Sequence, residues 1–165
     1  MKAYELIEWL NEHHPQKFAE DWDNVGLLVG DDKKEISHIF LALDLTEPVL
    51  DEAVKVGADM ILTHHPMIFS GIKKINNHTF TGRKILRLIR EDIPYFAMHT
   101  NYDVIGMADL SADYLKLQET KVLTVTDESG EQPEGFGRVG KLAQPMTLGE
   151  FGKYVKECNR LPDVR

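Results

Sequence analysis

The stretch "ADMILTHHP" at residues 58–66 decides the fold. It is a short apolar run bounded by Gly57 and by a proline, which is typical of a buried β-strand. Two adjacent imidazoles, His64 and His65, end the run. Side chains alternate between the two faces of a strand, so one imidazole would normally point into an apolar layer. Pro66 holds His65 in an extended conformation and stops the strand there, so both imidazoles can turn toward one crevice.

Similar apolar runs lie on both sides of this stretch, and helical patterns separate them. "ISHIFLALDLT" and "IPYFAMHTNYD" predict strands, whereas "TEPVLDEAVKVG", with Thr46 as its N-cap, and "TGRKILRLIRED" predict the helices between them. Strands that alternate with helices and are apolar throughout are typical of a parallel sheet covered on both faces. We therefore predict an α/β fold in which buried strands at Ile36–Leu43, Asp59–Thr63 and Pro94–Met98 belong to one largely parallel sheet.

The remaining segments continue the alternation. "AYELIEWLNEHHP" predicts a first helix, and "DWDNVGLLVGD" predicts a strand at Val25–Val29 that Gly30 closes. "MADLSADYLKL" predicts a helix, and "TKVLTVTD" and "FGRVGKLAQPM" predict strands. "TLGEFGKYVKECN" opens with Thr147 and Glu150 at the spacing of a capping box. We expect residues 1–165 to form a single α/β domain.

The composition is that of an ordinary soluble globular protein. The chain has 165 residues, of which 42% are hydrophobic and 28% charged, and this length suits one domain. No apolar run is long enough to span a bilayer, and Glu5 and Glu8 interrupt the segment where a signal peptide would be apolar. The one cysteine, Cys158, suits a reducing compartment. These features predict a cytoplasmic protein with no membrane partner.

The net charge argues against a general electrostatic grip on nucleic acid. The formal charge is −8 at pH 7, whereas phosphate binding requires an excess of Lys and Arg. A ring-shaped nucleic-acid binder is the least favoured alternative. It would require the basic residues of the stretch "GRKILRLIR" to line a channel: Arg83, Lys84, Arg87 and Arg90.

Reactive side chains follow three of the predicted strands. Asp44 follows the first, His64 and His65 follow the second, and His99 and Asp103 follow the third. In an open parallel sheet, the carboxyl ends of the strands form the functional crevice. Two neutral imidazoles and one carboxylate suit zinc, manganese or iron, whereas magnesium and calcium prefer oxygen ligands. A carboxylate can also bridge two metals, as dinuclear hydrolytic sites require.

Each part of this pattern also has a structural explanation. The histidine pair can simply end a strand at the surface, and Asn-x-Asp within "HTNYD" is ordinary turn chemistry. Asp44 can cap the helix that begins near Thr46. The other histidines have no partner pattern, and we expect them to be solvated or structural: His13, His14, His38 and His78.

Several separated motifs together resemble a known family. "WDNVGLLVGD", "DLTEPVLDEA", "HHPMIF", "HTNYD" and "EGFGRVGKL" occur in this order along nearly the whole chain. They closely resemble the family of GTP cyclohydrolase I type 2 homologues, also described as Ngg-interacting-factor-three-like dinuclear-metal proteins.

The resemblance implies an α/β fold, two divalent metal ions in a pocket and a homo-hexamer. Zinc is the first choice of metal, with manganese and iron as the alternatives. His64, His65 and Asp103 match the family's N-terminal metal ligands. The resemblance also assigns pocket-lining positions to Asp23, Asn24 and His99.

The function that the resemblance implies is metal-dependent hydrolysis, with His99 and Asp23 as the candidate catalytic residues. A purine nucleotide substrate is implied by the family name alone. The alternative is a non-catalytic metal-binding or regulatory protein that acts through protein contacts. The family completes its site with a C-terminal "GHxxxE"-type motif that residues 1–165 lack. We therefore expect these residues to be the N-terminal part of a longer fold, with an incomplete set of metal ligands.

Overall fold

The computed structural model describes residues 1–164. It contains two compact units: the first comprises Met1–Tyr102, and the second begins at Asp103.

The first unit is built on a four-stranded sheet in the order β1-β4-β3-β2. Its strands are β1 (Gly26–Val29), β2 (Ile39–Ala42), β3 (Met60–Thr63) and β4 (Tyr95–Ala97). Strands β2, β3 and β4 run parallel, and β1 pairs antiparallel with β4. The prediction that three strands share one parallel sheet is confirmed. Their carboxyl ends therefore lie at the same edge of the sheet.

Helix α1 (Ala3–His13) precedes β1, α2 (Glu47–Lys55) connects β2 to β3, and α3 (Phe80–Arg90) connects β3 to β4; a short helical turn, α4 (Thr100–Tyr102), follows β4. The predicted N-cap of α2 is confirmed, because the Thr46 side chain accepts a hydrogen bond from the Val49 backbone amide. The side chain of Thr79 begins α3 in the same way.

The core consists of two clusters that use alternate residues of the strands. Met60 and Phe96 pack with Leu10 of α1, whereas Ile61 and Tyr95 pack with Leu50 of α2 and with residues of α3. Neighbouring residues of one strand point to opposite faces, so this division means that helices cover both faces. The predicted two-sided burial of the sheet is confirmed for its central strands.

Strand β2 differs from the prediction of a buried strand at Ile36–Leu43. It is shorter, and Ile39 and Leu41 are 41% and 69% exposed. The reason is its position at the edge of the sheet, where α1 packs over Met60 and Phe96 and leaves these two side chains uncovered. Apolar composition predicts a strand but does not distinguish an edge strand from a central one.

Gly30 closes β1, as predicted, and the backbone requires a glycine there. Its φ is +106°, and a Cβ at this position would lie 2.6 Å from Cα of Pro94. This close approach brings the end of β1 against the start of β4.

The basic stretch of α3 faces acidic residues of α2. Arg83 Nε donates to Glu47 at 2.9 Å, and Arg87 pairs with Asp51. The Lys84 ammonium donates to the Leu45 carbonyl at 2.6 Å. These contacts engage three of the four basic side chains that would have to line a nucleic-acid channel, and they leave less positive charge for binding phosphate.

The second unit begins with a segment, Asp103–Met107, that is kinked at Ile105 and Gly106. It continues with α5 (Ala108–Tyr114), β5 (Gln118–Asp127), β6 (Glu134–Lys141) and α6 (Leu148–Cys158).

All four of the later predicted elements are present. The capping box of α6 is confirmed, because Thr147 accepts from the Glu150 amide and the Glu150 side chain accepts from the Thr147 amide. Strands β5 and β6 form a separate antiparallel pair rather than extending the parallel sheet. Across residues 1–164, the helices are too short or too polar to cross a bilayer.

Candidate metal centre

Three imidazoles meet at the carboxyl edge of the parallel sheet. His64 and His65 follow β3, and His99 follows the neighbouring strand β4. The ring centroids are 4.9 Å apart for His64 and His65, 5.3 Å for His64 and His99, and 5.6 Å for His65 and His99. One ring nitrogen of each lies within 4.8 Å of the others. We call these three residues the histidine cluster.

The turn after β3 is held by buried hydroxyl groups, which allows two adjacent imidazoles to approach the same place. The Thr63 hydroxyl donates to the His65 carbonyl at 2.8 Å. The Tyr95 hydroxyl lies 2.7 Å from the Thr63 hydroxyl and accepts from the Met67 amide at 2.8 Å. The regular alternation of side chains between the two faces of the strand therefore ends at Thr63. Beyond it, these hydrogen bonds fix the backbone conformation of His65 to Met67.

A carboxylate orients His65. Asp44, which follows β2, lies with Oδ1 2.8 Å from Nδ1 of His65. The helix cap that Asp44 could have supplied is supplied by Thr46. With Nδ1 engaged, Nε2 is the His65 nitrogen that remains for a ligand. The sequence placed Asp44 at the correct edge of the sheet but gave no sign of this partner.

A second carboxylate orients His99. Asp23 Oδ1 lies 3.0 Å from Nδ1 of His99, and the Asp23 side chain is fully buried. Asp23 also accepts from the Thr100 amide at 3.1 Å and from the Asn24 amide at 2.8 Å. Burial alone would raise the pKa of Asp23, but hydrogen bonds from Thr100, His99 and Asn24 outweigh burial and lower the pKa. Asp23 therefore stays ionised beside His99.

The sequence-predicted residues thus fall into two groups. The first unit brings together His64 and His65 with His99, and it pairs His99 with Asp23. His99, which sequence reasoning assigned to catalysis, is also a candidate ligand. Asp103 is the first residue of the second unit, and its role as a ligand stays a prediction.

The donor set of the histidine cluster fits a transition metal. Imidazole nitrogen is a preferred ligand of zinc and is also used by iron and manganese, and catalytic zinc sites often keep three protein ligands. Metal-binding histidines usually have their other nitrogen held by a carboxylate or a carbonyl, as His65 and His99 have here. In the part of the chain that the structure describes, the ligand atoms of the histidine cluster lie close enough together to bind one shared ion.

The other histidines have structural contacts or lie exposed, as expected. His13 Nδ1 lies 2.8 Å from the Trp9 carbonyl, and the His14 amide closes α1 on the Leu10 carbonyl. His38 lies beside Asp59, and His78 is exposed.

Comparisons with known sequences support the resemblance. The profile of the family described as Duf34/NIF3 (NGG1p interacting factor 3) matches residues 1–165. A Clostridium perfringens protein named GTP cyclohydrolase 1 type 2 homolog is 37% identical, over 100% of this chain and 63% of that protein. A protein of the same name from Clostridium acetobutylicum is 35% identical, over 100% of this chain and 62% of that protein. The chain thus spans less than two thirds of the length of these curated relatives.

Solved structures share the fold. A hypothetical protein of Staphylococcus aureus superimposes with a TM-score of 0.88 at 30% identity, over 100% of this chain and 66% of that one. A Bacillus cereus protein related to NIF3 has a TM-score of 0.91 at 25% identity, over 100% of this chain and 72% of that one. Because the family profile matches along the whole chain and these relatives share its fold, the chain belongs to the Duf34/NIF3 family.

Proposed function

We propose that this chain binds a divalent metal ion and contributes to a metal-dependent hydrolase of the GTP cyclohydrolase 1 type 2 kind. The observation that carries the proposal is the histidine cluster, in which two of the three imidazoles are oriented by carboxylates. Zinc is the first candidate, and manganese and iron are the alternatives.

The residues of the first unit would share the work of binding and orientation. His64, His65 and His99 would each offer one ring nitrogen to the ion. Asp44 and Asp23 would hold the Nδ1 proton of His65 and His99, so that Nε2 of each ring carries the free lone pair. When bound, a divalent ion supplies Lewis-acid chemistry that polarises the bond to be hydrolysed.

Asp23 and His99 can act either in metal binding or in proton transfer, and the metal content of the His99→Ala variant distinguishes the two roles. If His99 is a ligand, Asp23 orients it, and His99→Ala loses metal. If His99 transfers a proton, as the sequence suggested, His99→Ala keeps metal and loses turnover. The full burial of the Asp23 side chain favours orientation, because a buried carboxylate has no direct access to substrate.

Further features of the whole protein are proposals, and all of them rest on resemblance except the location, which rests on composition. These are a second metal ion, with Asp103 as its ligand or bridge, a purine nucleotide substrate, assembly into a homo-hexamer and a cytoplasmic location. Light scattering on the whole protein tests the hexamer, and a monomer would refute it.

Metal content and turnover test the proposed function together. We expect purified protein to contain zinc, manganese or iron by elemental analysis, and to hydrolyse GTP only when metal is present. His64→Ala should lose both properties, whereas His78→Ala, which changes an exposed histidine outside the cluster, should lose neither. Bound metal without turnover of a nucleotide panel would favour the non-catalytic or regulatory alternative. Absence of bound metal would overturn the proposal.

A further inference from the structure

Two large aromatic side chains stand exposed beside the histidine cluster. Trp22 is 55% exposed and Phe69 is 53% exposed. Their ring centroids are 5.7 Å apart, and they lie 6.1 Å and 6.5 Å, respectively, from the centroid of His99. Single exposed aromatic residues are common, but an adjoining pair next to polar, oriented imidazoles indicates a binding surface. We call Trp22 and Phe69 the aromatic wall.

The loops that carry the aromatic wall are held in place. The Asn24 side-chain amide donates to the Ile68 carbonyl at 2.6 Å, which joins the two loops next to both aromatic residues. Asp23 ties the first loop to His99, and the Met67 amide ties the second loop to the Tyr95 hydroxyl. Asp23, which orients His99, therefore also holds the loop that carries Trp22. Because hydrogen bonds already fix these loops, the aromatic wall would lose little conformational entropy when a ligand binds.

We propose that the aromatic wall binds a planar heteroaromatic ring of the substrate and holds it beside His99. This inference rests on the proposed function, because it names the class of substrate for the same site. Trp22 and Phe69 are in contact with each other, tilted by 43° with centroids 5.7 Å apart. Aromatic rings in direct contact have centroids about 4.5–7 Å apart, so this separation leaves no space for a third ring between them. The substrate ring therefore stacks on the exposed side of the wall rather than entering between the two residues.

The chain offers a matched control for Trp22. Its other tryptophan, Trp9, is 50% exposed on α1 and stacks on His13 with centroids 4.2 Å apart. Trp9 resembles Trp22 in exposure and in having an imidazole neighbour, but His13 does not belong to the histidine cluster. Substitution of the two tryptophans thus separates a general effect of tryptophan loss from an effect at the wall.

Two probes that differ by the ring test the inference. Guanosine 5′-monophosphate carries a planar base, and ribose 5-phosphate is the same molecule without it. In the Trp9→Phe variant, in which Trp22 is the remaining tryptophan, we expect guanosine 5′-monophosphate to quench the fluorescence and ribose 5-phosphate not to do so. By calorimetry, Trp22→Ala and Phe69→Ala should weaken binding of guanosine 5′-monophosphate about tenfold, as expected for loss of one stacking contact.

The control variants make the outcome specific. Trp9→Ala should bind guanosine 5′-monophosphate as the unchanged protein does, and Trp22→Phe should retain most of the affinity because a phenyl ring still stacks. Equal affinity in Trp22→Ala and in the unchanged protein would overturn the inference. The inference would also be overturned if ribose 5-phosphate bound as tightly as guanosine 5′-monophosphate. A Kd above about 1 mM for guanosine 5′-monophosphate in the unchanged protein would overturn it as well.

Metal content measured on the same samples distinguishes this inference from the proposed function. Trp22→Ala should bind as much zinc as the unchanged protein, which also shows that the variant is folded at the site. If zinc binds but Trp22 has no effect on guanosine 5′-monophosphate, the inference is wrong and the proposed function stands. If the unchanged protein binds no zinc, the proposed function is wrong whatever the wall binds.

Discussion

Oδ1 of Asp44 lies 2.8 Å from Nδ1 of His65, although 21 residues separate them in the sequence. The two residues come together because β2 and β3 are parallel neighbours, so that the segments following both strands leave the same edge of the sheet. Asp23 and His99 form a second pair of the same kind. Two carboxylate–imidazole pairs at one edge are the arrangement expected of an oriented metal site.

Removal of the Asp44 carboxylate should weaken metal binding without removing a ligand. We expect Asp44→Ala to lower zinc affinity about 10- to 100-fold, because His65 then loses its orienting partner. Asp44→Asn should have a smaller effect, since its carbonyl oxygen can still accept from Nδ1. Calorimetric titration of zinc measures both variants. Asp51→Ala, which removes an exposed carboxylate paired with Arg87, is the control, and an equal loss there would contradict the assignment.

Loss of an imidazole from the histidine cluster should have a larger effect. We expect His64→Ala and His99→Ala each to lower zinc affinity by more than about 100-fold, beyond the usual cost of losing an orienting partner. Elemental analysis after dialysis measures the retained metal, with His78→Ala as the control. If His99→Ala keeps its metal while His64→Ala loses it, His99 is not a ligand, and the catalytic role predicted from the sequence becomes the better explanation.

Residues 1–165 should bind at most one metal ion tightly. Three imidazoles supply enough protein ligands for one catalytic-type ion but cannot give each of two ions three protein contacts. If Asp103 is a ligand as well, Asp103→Asn should lower zinc affinity, whereas the exposed Asp113→Asn on α5 should not. Zinc titration of the three proteins provides the test. Two equally tight sites in the unchanged protein would show that other side chains complete a second site, and no effect of Asp103→Asn would show that Asp103 is not a ligand.

The Tyr95 hydroxyl should contribute to stability through the turn after β3. Tyr95 is fully buried, and its hydroxyl is bonded to the Thr63 hydroxyl and the Met67 amide. We expect Tyr95→Phe to lower the free energy of unfolding by about 1–3 kcal/mol, because the partly buried Met67 amide loses its acceptor. Denaturant unfolding measures the change, with the exposed Tyr114→Phe as the control. An unchanged midpoint for Tyr95→Phe would show that the turn does not depend on this hydroxyl.

Asp59 should make stability depend on pH in the acidic range. Hydrogen bonds from the backbone amides of Ser37 and His38, and from the Ser37 hydroxyl, lower the pKa of Asp59 from 3.8 to about 2. A carboxylate with a lowered pKa stabilises the fold above its unfolded pKa, and this contribution is lost as the pH falls from 3.8 toward 2.

We therefore expect Asp59→Asn to be less stable at pH 7 by about 1 kcal/mol, a figure reduced for solvent screening of this partly exposed group. The difference should disappear as the pH falls toward 2, the folded pKa of Asp59. Urea unfolding at pH 7 and at lower pH values measures it. A difference that persists or grows in acid would contradict the assigned pKa shift. Asp31→Asn, which changes an exposed loop carboxylate, is the control.

Sequence reasoning succeeded where the interaction partners are close along the chain. Thr46 caps α2 through the amide three residues later, and Thr147 and Glu150 form the predicted capping box. The three parallel strands also followed from local patterns, because short apolar runs alternate with amphipathic helices. Such features depend on residue type and spacing alone.

The sequence by itself determined the α/β fold, the helix starts and the placement of His64 and His65 at the end of a strand. Only the tertiary structure decided that β2 lies at the sheet edge, that Asp44 orients His65, and that His99 joins the cluster with Asp23 as its partner. Asp23 and His99 are 76 residues apart, so their contact depends on which strands are neighbours and on how the loops are held. The spacing of apolar residues indicates which face of a helix or strand is buried. The order of the strands, and the hydrogen bonds that hold the loops, depend on the packing of the whole unit.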